Sequence, residues 1–345
     1  MYLTSVGINN GNFLADFVEL MRVKTVKDKY KAKGADMIML IAIDHGNKLI
    51  KCVHRTFTSG LMENDNKPPF GDSILCYKGK YYTLSDRRIP YMRDKTLDER
   101  FFILTLFAIA YEIEVASVYS ADEIIDVQLA VGLPPAHYGT QHERFARYFL
   151  NRDVVKFTLN GAAYSIFINE AVCFPQALAA TAPVFKQLQL SKLPKATLID
   201  IGGFTADYLQ ISYGTANWSA CDSLENGVIT LYNQVKSKVN SDFDLLLEET
   251  DIDAILIGKQ TEYSTKVIEI VHNSARIFVT DLFGKLRERM IDLRSGKVIF
   301  VGGGSILLRR QIEASEKVGA AIFVDEIAAN TKGYELMYYA SKVRR

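Results

Sequence analysis

The chain has 345 residues, 48% of them apolar and 23% charged, which is long enough for two packed domains and ordinary for a globular protein. The 41 basic residues against 40 acidic ones leave a formal charge of +1, which excludes a bulk electrostatic grip on DNA or on an anionic membrane. Cys52, Cys76, Cys173 and Cys221 stand far apart with no Cys-x-x-Cys pair, so neither a disulfide framework nor a zinc site is expected, and a reducing cytoplasm fits.

Residues 1–36 differ in character from the rest. A helix over 15–35 has only a short apolar stripe, and 24–33 is polar and basic. One reading makes this a dispensable or spurious extension, with Met37 or Met39 as the natural start; Lys33-Gly34-Ala35 can be encoded by a purine-rich, ribosome-binding-type sequence. The other reading is a helical extension that serves assembly.

From residue 37 the pattern predicts strands over 37–43 and 48–56 joined by an Asp-His-Gly-Asn turn, then a hairpin of 73–77 and 80–84 around Lys78-Gly79. Thr96-x-x-Glu99 has the capping-box spacing and opens a helix to about 116. That stretch carries Glu112 and Glu114 and is shorter than the roughly 20 apolar residues a bilayer span needs. A buried strand over 127–132 stops at Pro134-Pro135. Thr140-x-x-Glu143 predicts the start of a helix to about 151. Strands 154–159 and 164–168 flank Asn160-Gly161, and 175–190 reads as a helix.

A second, similar series follows: strands over 197–201, 205–212 and 217–221, a helix over 226–240, a strand over 254–257 and a long helix over 264–293. A strand over 297–301 then runs into Gly302-Gly303-Gly304 with a helix from Ser305, and a last helix covers 331–341. This order implies an α/β protein. Its informative feature is a repeat. Ile43-Asp44-His45-Gly46 and Ile199-Asp200-Ile201-Gly202 each end an apolar strand with an acid and a glycine turn. Glycine lets backbone amides approach phosphate oxygens, and a single carboxylate suits a hydrated Mg2+. A duplicated α/β unit facing itself across a cleft accounts for the pair. P-loop and dinucleotide-binding fingerprints are absent from the sequence.

At these residues the chain resembles the actin/Hsp70/hexokinase ATPase superfamily and, within it, the ParM/StbA-type actin-like plasmid segregation family, from about residue 37 onward. Residues 41–51 resemble the first phosphate loop, 198–207 the second, 300–305 the adenosine motif and 330–334 the closing helix. The resemblance implies two duplicated RNase H-like α/β domains in an actin-like fold. Domain I is expected at 37–178 plus 331–345, and domain II at 179–330. It implies that Asp44 and Asp200 organise Mg2+ through water, and that Gly46, Asn47, Gly202, Gly203 and Thr205 contact phosphates. Lys51 would reach a phosphate, and Gly302, Gly303 and Gly304 would let base and ribose lie close. Glu170, with Asp200, would be catalytic by orienting or deprotonating the attacking water. The implied function is an ATP- or GTP-hydrolysing filament former (ADP or GDP as product). It would act in plasmid DNA segregation through a centromere-binding adaptor, touching DNA only indirectly and no membrane. The alternative is a non-polymerising, sugar-kinase-like phosphotransferase. His45 reads as a turn residue facing solvent or the sheet edge, Glu170 alternatively as a helix N-terminal acid, and 342–345 as a solvated basic tail.

Overall fold

The computed structural model describes residues 30–33, 36–117 and 123–343. It divides into two compact units, 1–187 with 328–345, and 188–327. The first unit therefore keeps nine more residues than the boundary at 178. Among the described residues no helix is long and apolar enough to cross a membrane.

The first unit contains β1 (Tyr30–Lys33), β2 (Asp36–His45), β3 (Leu49–Cys52), β4 (Thr56–Thr58), β5 (Leu61–Asn64), β6 (Ile74–Tyr77), β7 (Lys80–Leu84), β8 (Ile124–Leu133), β9 (Val155–Leu159) and β10 (Ala162–Pro175). Their order across the sheet is β4-β3-β2-β8-β10-β9-β6-β7-β5, with β1 also on β2. β2, β8 and β10 run parallel, while β3 and β4 fold back antiparallel. Helix α1 (Arg100–Ala116) is buried from Phe101 to Ile113, as an element apolar on all sides must be. Its Phe102 meets Tyr77, and its Phe107 and Tyr111 meet Phe57. Helix α2 (Pro135–Leu150) and the short α3 (Leu178–Thr181) follow β8 and β10.

The second unit contains β11 (Ala196–Ile201), β12 (Ala206–Ser212), β13 (Thr215–Leu224), α4 (Val228–Phe243), α5 (Glu249–Leu256), α6 (Thr265–Glu288), β14 (Lys297–Val301), α7 (Gly303–Leu307), α8 (Arg309–Glu313) and β15 (Ala320–Phe323). The sheet order is β13-β12-β11-β14-β15. The core joins the sheet to Leu231 and Val235 of α4, Ile252 of α5, Val271 and Leu282 of α6 and Ile312 of α8. Helix α9 (Ala329–Val343) belongs to the first unit; it packs so closely on α3 that a Cβ on Gly333 would lie 1.8 Å from the Ala179 carbonyl oxygen.

The two sheets share one design. The strand that carries the acid, β2 or β11, has an antiparallel hairpin partner on one side and two successive parallel strands on the other. The first unit extends it with β9, β6, β7 and β5.

Several local expectations give way. Residues 30–33, placed in a possible N-terminal helix, form β1 and pair with residues 36–39; the remainder of that helix lies outside the described residues. Thr96 does not open α1. Asp94 caps a short 3-10 turn there, accepting from the Thr96 N–H at 3.1 Å. Thr140 sits inside α2, which begins five residues earlier because Pro135 fills its first position without needing an N–H partner. Residues 254–257 belong to α5 and its end, stabilised by a capping box of Glu248 and Asp251, rather than to a strand. Residues 175–190 form only the end of β10, α3 and short 3-10 turns. β10 itself runs 14 residues, past the expected end at 168, through a bulge between Ile168 and Glu170.

Candidate functional site

In the first unit, β2 delivers Asp44 at its end and β3 returns after Gly46-Asn47-Lys48. The turn is too tight for a side chain at its first position: a Cβ on Gly46 would lie 2.5 Å from the Leu49 carbonyl oxygen. Asp44 is opposite Lys51 in the β2–β3 register, and Lys51 Nζ lies 3.3 Å from Asp44 Oδ2. Gln176 Nε2 donates to the other oxygen, Oδ1, at 2.7 Å. Asp44 is only 2% exposed, and a buried carboxylate needs both the cation and the amide donor.

Gln176 is held in turn. Its backbone N–H donates to the Leu133 carbonyl at 2.8 Å, and the next residue, Ala177, adopts φ +60 while donating its N–H to Asn330 Oδ1 at 3.0 Å. A non-glycine residue in that region is strained and persists where its surroundings hold it.

His45 does not face solvent or the sheet edge. It is 1% exposed, its Nε2 lies 2.8 Å from Thr105 Oγ1, and its ring meets Phe145 and Phe149. Burial first, and then the Lys95 ammonium, lower its pKa to about 3. Lys95 Nζ also donates to the His45 carbonyl. Lys95 and Gln176 are absent from the sequence reading. Lys95 is distant in sequence, and Gln176 is neutral and follows what looked like the start of a helix.

Glu170 is not at this turn. Through the paired registers it is level with Gln128 and Leu40, four residues before Asp44, or about 13 Å along the strands. Its carboxylate is held by α9: Lys342 Nζ lies 2.6 Å from both oxygens, and the Tyr338 hydroxyl donates to Oε2. Glu170 is therefore set back from the first turn, and its alternative as a helix N-terminal acid is corrected, because it sits within β10. Lys342, expected in a solvated tail, is an ion-pair partner.

In the second unit, Asp200 near the end of β11 is opposite Asp207 of β12. The turn between them is made largely by backbone. Gly202 donates its N–H to the Thr205 carbonyl at 2.8 Å; the carbonyls of Gly202 and Gly203 accept from Val228 and Ile229 at the start of α4, at 3.1 and 2.9 Å. Thr205 Oγ1 donates to Asp207 Oδ2 at 3.3 Å. The Gly302-Gly303-Gly304 run reaches the same place, since β14 runs parallel to β11 with Val301 beside Asp200. Gly302 has φ +85, and a Cβ there would lie 2.1 Å from Asp200 Oδ1; one on Gly304 would lie 2.6 Å from the Ile201 carbonyl oxygen, while nothing lies within 4 Å of the same position on Gly303. A bare, open backbone beside an acid fits a phosphate or ribose lying close to the chain. Asp44 and Asp200, each a single carboxylate at a strand end, fit a Mg2+ that keeps its waters.

Two family models match, one in each unit: the actin-like proteins' N-terminal domain over residues 42–178, and the C-terminal domain of the MreB-like archaeal actin homologue over 198–314. No curated protein sequence matches significantly. Among solved structures, the archaeal actin homolog Ta0583 superposes with a TM-score of 0.70 at 17% identity, covering 88% of this chain and 99% of that one. Its ADP complex gives 0.67 at 18% identity, over 87% and 99%. A ParM from a 15-stranded Clostridium botulinum filament gives 0.67 at 16% identity, over 91% and 99%. With both sheets in one strand order and a matching model on each, this chain belongs to the actin-like proteins and has ParM among its structural neighbours.

Proposed function

We propose that this protein is an ATP- or GTP-hydrolysing filament former whose two glycine turns serve one Mg-nucleotide. The observation that carries this reading is the repeated acid-glycine turn, Asp44-His45-Gly46 and Asp200-Ile201-Gly202, on equivalent strands of two sheets built to the same order. The ADP complex of Ta0583 and the filaments of ParM, Alp12 and AMPPNP-bound AlfA support nucleotide-linked self-assembly.

In this reading Gly46 and Asn47 on one turn, and Gly202, Gly203 and Thr205 on the other, contact phosphates. Gly302, Gly303 and Gly304 leave room for ribose and base. Lys51, and Lys95 beside the first turn, supply positive charge. Asp44 and Asp200 hold the water shell of Mg2+, which supplies charge neutralisation at the phosphates when bound. Gln176, rather than Glu170, orients the attacking water. An amide already tied to Asp44 can position a water without accepting its proton, so its contribution is geometric. Head-to-tail contacts that do not close into a ring give open filaments. The finer role is plasmid segregation in the cytoplasm through a centromere-binding adaptor.

Sedimentation and electron microscopy with ATP, GTP, their slowly hydrolysed analogues or no nucleotide test this. Filaments that need nucleotide are expected; a protein that stays monomeric with every nucleotide and phosphorylates a sugar would replace this reading with a kinase.

A further inference from the structure

We infer that His45 is a positioning residue: through Thr105 it ties the first glycine turn to α1 and sets the backbone of Gly46 and Asn47 for a nucleotide phosphate. This inference rests on the nucleotide reading above. Asp44 and His45 are successive residues of one strand, so they point to opposite faces. Asp44 meets Lys51 and Gln176, while the His45 ring enters the pocket made by Thr105, Phe145 and Phe149.

The hydrogen-bond chain fixes how the ring is used. The Thr105 hydroxyl donates to the Phe101 carbonyl at 2.8 Å, one helical turn back. Its only proton is thereby used, and toward His45 it can only accept. His45 must then carry its proton on Nε2. Its Nδ1 is left buried with no partner, an arrangement that costs stability. With Phe145 and Phe149 as neighbours, packing alone would be better served by a phenylalanine ring. What phenylalanine lacks is the donor that reaches Thr105.

The same residue is pinned through its backbone, because Lys95 Nζ donates to the His45 carbonyl. Lys95 lies in the 3-10 turn just before α1. The ring is thus anchored to the second turn of α1 and the carbonyl to the 3-10 turn before that helix, and the next residue is Gly46, where no side chain limits the turn. A free glycine turn samples many conformations; two anchors at its entry restrict them before ligand arrives, which improves affinity by preorganisation.

The test compares Mg-ATP and Mg-GTP binding, hydrolysis and thermal unfolding for wild type, Thr105→Ser, Thr105→Val and His45→Phe. Thr105→Ser keeps the acceptor and should bind like wild type. Thr105→Val and His45→Phe should weaken nucleotide affinity about 10-fold, the scale of one lost hydrogen bond. His45→Phe should do so with an unfolding midpoint no lower than that of wild type, Thr105→Val with a lower one because it leaves the His45 Nε2–H unpaired, and both with kcat changed less than KM. Equal affinity in all four proteins would overturn the inference, as would affinity falling only in step with the unfolding midpoint. Absence of nucleotide binding by wild type would overturn the nucleotide reading itself, and this inference with it.

Discussion

The two glycine turns carry the same acid but are framed by different means. The first is framed by side chains: Lys51 and Gln176 on Asp44, Thr105 on His45, and Lys95 on the His45 carbonyl. The second is framed by backbone, through the Gly202, Gly203 and Thr205 bonds and the close fit of Gly302 on Asp200. Side-chain framing is open to tuning by substitution one contact at a time, whereas at the second turn a Cβ on Gly302 or Gly304 would meet the acid itself or the Ile201 carbonyl. The second turn should therefore fail abruptly and the first by degrees.

The sharpest way to break this contrast is Gly302→Val. The new side chain meets Asp200 Oδ1 and forces a β-branched residue to φ +85, a strain of roughly 3 kcal/mol or more. Calorimetry should show a destabilised second unit and no nucleotide binding; a variant that binds normally would show that the glycine run is a plain loop.

A smaller effect separates the two candidates for handling water. Gln176→Ala should slow hydrolysis by about 100-fold while filaments still form and persist. Glu170→Ala should leave turnover near wild type. It should lower stability by about 1 kcal/mol, because Tyr338 and the partly exposed Lys342 lose their acceptor. Turnover assays beside thermal melts would invert the assignment if Glu170→Ala were the slow variant.

The difference between these two residues also shows where the sequence stopped being legible. The motifs at Asp44, Asp200 and Gly302 are local, each a strand followed by a glycine turn, and periodicity with turn chemistry suffices to find them. The two α/β units followed from those motifs and the resemblance they carry, whereas the strand order across each sheet did not. Glu170 and Gln176 depend on where β10 ends. The polar pair Asn169-Glu170 looked like a strand end, yet a bulge carries the strand six residues beyond Asn169, to Pro175. The environment of His45 was equally hidden, since its partners lie on α1 and α2, about 60 and 100 residues away in sequence, where only tertiary packing brings them.

Another prediction concerns acid. His45 stays neutral in the folded protein down to about pH 3, while in the unfolded chain it takes up a proton near pH 6.5. Below pH 6.5 the unfolded state binds more protons, so stability falls as pH falls, by about 2 kcal/mol at pH 5 from this group. Unfolding midpoints between pH 7 and pH 5 should drop less steeply in His45→Phe than in wild type; parallel slopes would mean that the ring is not buried neutral.

The central claim, that both turns act on one Mg-nucleotide, is tested most directly by Mg-dependent hydrolysis in Asp44→Asn, Asp200→Asn and the double variant. Each single change should lower kcat/KM by about 100-fold, and the double change should cost no more than about 10-fold beyond either, since groups that act as a unit are not additive. Wild-type hydrolysis in either single variant, or losses that simply multiply, would contradict it.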